Sequence, residues 1–217
     1  SAASDVYKRQ GLREVAAIDI IATNAASRYP RPVYWHQSLP KNKYCGFHPF
    51  TRQALLTRRL MPAAADSAVL TEEALNALPR MRWGGLDRAP YPGPDVTAQA
   101  ELQRASLIRL AWAAAREGRH DMALHIARMA MVRFPSRSIP YGIRSHADSA
   151  YFEAAELARL LRTCGEATGD SAAIREAQAI HDADSARSEA YRRYRRAIPA
   201  WRRGAISPAT NNRSISR

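Results

Sequence analysis

The stretch that most constrains the fold is Arg104–Arg137, RASLIRLAWAAAREGRHDMALHIARMAMVRFPSR, because it holds two amphipathic runs separated by one short break. In the first run Leu107, Leu110, Ala111 and Ala114 recur at i, i+3, i+4 and i+7, which puts a narrow apolar stripe on one side of a helix. In the second, Ala123, Ile126, Ala127, Ala130 and Phe134 repeat the spacing until Pro135 stops it. Gly118-Arg119-His120 forms the break, and Asp121 is placed where an N-cap carboxylate would accept the first free N–H groups. Small alanines at facing positions let two antiparallel helices approach closely. The stretch predicts a helical hairpin.

The order Leu107, Leu110-Ala111, Ala114, Gly118, Ala123, Ala130, Pro135 resembles one tetratricopeptide repeat, a helix–turn–helix unit of about 34 residues. Ala123, Ala130 and Pro135 match the small, small and proline positions of that family. Leu107, Ala111 and Ala114 stand where it usually carries Trp, Gly and Tyr. The resemblance implies a binding or scaffolding surface rather than a catalytic one.

The net charge of +13 divides unevenly along the chain. Residues 1–96 carry 13 basic and 8 acidic groups, residues 97–186 carry 11 of each, and residues 187–217 carry nine Arg and only Glu189. The hairpin region is therefore neutral, and the basic character belongs to what flanks it. Thirty of the 33 cations are Arg, the better partner for carboxylates, phosphates and aromatic faces. Two cysteines, Cys45 and Cys164, are too few for a disulfide framework and fit a reducing compartment. No run approaches the ~18 apolar residues of a membrane span.

Four regions follow. The first ten residues, SAASDVYKRQ, look like a translated library adaptor and are set aside as a possible non-native start. Residues 11–96 read as an N-terminal arm with short helices at 12–27, at Thr51–Met61 (Thr51 as cap; Leu55, Leu56 and Leu60 on one face) and at Thr71–Leu78, with Thr71 as cap. Between them lies Tyr29–Phe50, rich in proline and aromatics, a segment better laid across a surface than left free. Pro79–Pro94 reads as a linker. Residues 97–186 form the body, with a third helix over about His146–Thr163, a break at Gly165–Gly169, and a fourth helix capped by Asp170 or Ser171. Residues 187–217 form a basic, aromatic C-terminal extension. The expected class is all-α: antiparallel hairpins, as a repeat-like α-solenoid or small bundle, with a Pro-rich N-terminal arm and a basic C-terminal arm.

Candidate chemistry is sparse. Cys45-x-x-His48 with His36 offers zinc-ligand types, but a clear fourth ligand is missing. His120, Asp121 and His125 cluster at a helix start, and His181, Asp182 and Asp184 point in different directions from one helix. No nucleophile motif, phosphate loop or His-Glu metal motif is present. No catalytic residue, metal, cofactor or small-molecule substrate is expected.

What the sequence offers is contact surface. Tyr34, Trp35, Phe47 and Phe50 in the N-terminal arm, and Tyr191, Tyr194 and Trp201 in the C-terminal one, are candidate partner-binding side chains. Arg192, Arg193, Arg195, Arg196, Arg202 and Arg203 are candidates for an anionic partner, lipid or rRNA. The plainer alternative is that the Tyr/Trp stripe packs on the body's own core. The expected function is that of a non-catalytic accessory subunit of a large organellar assembly, bound to other protein subunits, with a mitochondrial respiratory or ATP synthase complex first. A mitochondrial ribosomal protein contacting rRNA and a peptide-binding repeat adaptor are the alternatives.

Overall fold

A computed structural model describes residues 11–28, 31–36, 45–62, 69–86, 88, 92–141 and 153–198. The first ten residues, Pro40 and its neighbours, His146–Phe152, and the tail from Pro199, with Trp201, Arg202 and Arg203, lie outside them. The described chain is mostly helical and carries a small three-stranded sheet.

Helix α1 spans Leu12–Ala26, as expected, and buries Ile21. Strands β1 (Tyr34–His36), β2 (Thr51–Ala54) and β3 (Thr57–Leu60) form an antiparallel sheet in the order β1-β3-β2. Tyr34 pairs with Arg59 across one ladder, and Thr51 with Leu60 across the other. The sheet adds to the expected all-α class, which the mostly helical chain bears out in part, and it corrects the helix expected over Thr51–Met61. That segment is a hairpin turning at Leu55-Leu56, with Leu55 at φ +56. A left-handed Leu costs on the order of 1–2 kcal/mol. Here it places the Leu55 side chain, 5% exposed, in the core, which offsets the strain. Side-chain bonds reinforce the turn: Thr57 Oγ1 donates to the Ala54 carbonyl at 3.0 Å, and Gln53 Nε2 to that of Leu55 at 3.0 Å.

Helix α2, Thr71–Ala77, continues as one 3-10 turn through Arg80. Thr71 does not cap it; its hydroxyl donates to Glu117 at 2.6 Å, and Arg119 pairs with Glu72 beside it. Both bonds dock α2 on the turn of the central hairpin. The stretch expected as a linker after Pro79 contributes Trp83, which meets Phe134 edge to face at 5.8 Å, with the Arg133 guanidinium 5.6 Å from its ring.

Helices α3 (Pro94–Arg116) and α4 (His120–Arg133) are the expected hairpin. Gly118, at φ +77, makes the left-handed turn between them. Leu107, Leu110, Ala111, Ala114, Ala123, Ile126, Ala127 and Ala130 are all buried, so the two sequence stripes face each other and the core. The N-cap is Arg119 rather than Asp121, which sits in the first turn, where its charge faces the positive helix end. Helix α5, Glu153–Thr168, runs through Gly165 instead of breaking there. A Cβ on Gly165 would lie 3.0 Å from the Asp170 carbonyl oxygen and 3.0 Å from Ile174 Cγ1, so glycine serves close helix approach. The break falls at Gly169, φ +73, and Asp170 caps α6 (Ser171–Ala197) by accepting from the Ala173 N–H at 3.0 Å. That bond and the Arg128 guanidinium, 2.9 Å away, hold the Asp170 carboxyl below its ordinary range, the Arg128 bond acting most.

One ion pair organises the body. Arg104 is fully buried, and its Nε and Nη2 each reach a Glu153 carboxylate oxygen at 2.7 Å. Its Nη1 donates to the carbonyls of Phe134 and Ile139, and Nη2 also to that of Pro140. All five guanidinium N–H donors are thereby used. The Tyr141 ring lies 4.4 Å from its Cζ. Arg104 thus ties α3 to the end of α4, the connection after it, and the start of α5. Burial and the nearby Glu153 charge raise the Glu101 carboxyl, burial first. The core is continuous: Leu55, Val69, Ala74 and Leu78 from the N-terminal half join the helices.

Removing one member of a buried pair strands the other. Arg104→Met is expected to lower unfolding free energy by about 3–5 kcal/mol, and Arg104→Met with Glu153→Leu to recover much of it. Urea unfolding of the three proteins checks this.

Candidate partner-binding surface on the last helix

The residues of candidate chemistry are scattered. His36 is exposed on β1, His48 starts a 3-10 turn, and Cys45 sits with its sulfur 4.0 Å from the Glu14 carbonyl oxygen. His120 and Asp121 open α4, with the exposed His125 one turn further on; on α6 Asp182 accepts from Gln178 while Asp184 is buried. Among the described residues no three His, Cys, Asp or Glu side chains are grouped to hold a metal ion. Burial raises the Cys164 thiol. A groove of about 580 Å³ beside α1 is lined by Asp19, Ile20 and Thr23 and by Arg31–Val33. The carboxylates around the start of α2 are already engaged: Glu72 by Arg119, Glu73 by Tyr34 and Arg59, and Glu117 by Thr71.

The N-terminal aromatics belong to the folded sheet region. Tyr34, 42% exposed, donates its hydroxyl to Glu73 at 2.6 Å, and Arg59, its partner across the ladder, donates to the other oxygen at 2.8 Å. The Tyr34 phenol is raised by that bond above all. Trp35 and Phe47 are half-buried, and Phe50 is 39% exposed at the start of the hairpin. Tyr34 thereby ties the sheet to α2, and the group leaves partial apolar faces outside.

Helix α6 is different in kind. Its buried residues are Ala173, Ala177, Ile180 and Asp184, and they form the seam against α5. At 100° per residue these four lie within roughly a 60° arc. Arg187 is the next side chain on that side; it donates to the Tyr141 carbonyl, with its Cζ 5.9 Å from the ring. Beyond it the same arc carries Tyr191, Arg195 and Ile198, with Tyr194 beside them. Tyr191 is half-buried and Tyr194 is 55% exposed. The seam therefore continues for about three turns past the last residue it buries. The helix ends at Ala197, and Ile198 is extended, as the residue before Pro199 should be.

The rest of this overhang is cationic. Arg192 and Arg193 share Glu189, at 2.8 and 3.7 Å, while Arg195 and Arg196 have no carboxylate partner among the described residues. Exposed pairs of this kind contribute little. The overhang thus joins an exposed apolar stripe to an excess of positive charge, and its sequence-selected residues lie on one helix, apart from the sheet group.

Comparison with known proteins adds nothing to this geometry: no family model, curated protein or solved structure matches the chain.

If the stripe leaves the core after Asp184, its side chains should not support the fold. Tyr194→Ala is expected to change unfolding free energy by less than about 0.5 kcal/mol, whereas Ile180→Ala should cost about 2–4 kcal/mol. Thermal melts of the two variants distinguish them.

Proposed function

We propose that the protein is a non-catalytic accessory subunit of a larger assembly, held to its neighbours through the α6 overhang. The observation that carries this reading is Tyr194, 55% exposed on a helix whose last buried residue, Asp184, lies about three turns earlier. An aromatic residue left out while its helix mates are packed in is an interaction signal, because Tyr brings large contact area at little entropic cost. The Arg excess around it favours a negatively charged neighbour.

The body suits such a role. Two helix pairs, α3–α4 and α5–α6, share one core, and the first has the spacing that resembles a tetratricopeptide repeat. In this reading α5–α6 is a divergent second unit. Two such pairs are fewer than the ~3 usually needed for stability. The N-terminal sheet and α2 supply the missing contacts by covering the turn end of the first pair. A mitochondrial respiratory or ATP synthase complex is the host assembly this proposal names, on the strength of the sequence reading alone.

A tagged chain expressed in its host should migrate with a large complex on a native gel. Tyr191→Ala with Tyr194→Ala should shift it to the free form without changing its melting temperature. Migration of the unaltered chain as a free monomer would contradict the proposal.

A further inference from the structure

We draw no further inference here: the strongest candidate, the recess of about 390 Å³ beside the start of α2, lined by Arg52, Thr71, Glu72, Glu73 and Glu117, is an acidic cluster whose carboxylates are already bonded to Arg119, Tyr34, Arg59 and Thr71, and nothing else among the described residues points to a ligand there.

Discussion

The arrangement of the body depends on a buried arginine meeting a buried glutamate. Arg104 and Glu153 are on helices far apart in sequence, and both are withdrawn from water. Such a pair adds little net stability over an apolar equivalent, but its geometry is demanding. Five acceptors around one planar guanidinium, three of them backbone carbonyls of Phe134, Ile139 and Pro140, are met together in one arrangement of α3, the α4 end and α5. Once α5 is placed, Gly165 and the Asp170 cap place α6 against it. On α6 the last buried residue is Asp184, so the helix leaves the core well before its end at Ala197.

The N-terminal half is part of this body. Leu55, Val69, Ala74 and Leu78 enter the same core as the helices, and Glu73 joins β1 and β3 to α2 through Tyr34 and Arg59. A free arm would present these aromatics to partners. Thr71 and Glu72 of α2, bonded to Glu117 and Arg119, fasten this half to the turn end of the α3–α4 hairpin. Positive charge lies on both sides of the neutral stretch 97–186, with 13 basic against 8 acidic groups in residues 1–96 and nine Arg against one Glu in residues 187–217.

Much of the helical body was legible from spacing alone. The α3 and α4 stripes, the stop at Pro135, the Asp170 cap and the end before Pro199 each follow from local rules that packing did not override. The misses have physical causes. Leu55 turns a hairpin without Gly or Asn because burial of its side chain offsets a strained φ, a tertiary effect that no turn signal announces. Gly165 reads as a breaker from sequence, since its closeness to Ile174 and the Asp170 carbonyl is invisible in one dimension. Arg104 did leave a trace, a charge at the i−3 position of the Leu107 stripe, but its partner lies 49 residues away. Of the candidate site, Tyr191, Tyr194 and the arginines were visible, whereas the split at residue 187 by charge concealed that their stripe prolongs the seam of Ala173, Ala177 and Ile180.

The central claim is that α6 is anchored within the molecule as far as Arg187 and addressed outward beyond it. Residue-resolved hydrogen exchange along this helix in the isolated chain measures that directly. The account gives amides between Ala173 and Asp184 protection close to that of global unfolding, and amides from Tyr191 to Ala197 exchange faster by orders of magnitude. Uniform protection along the whole of α6 in the isolated chain would contradict it, because the overhang would then be held by the molecule itself.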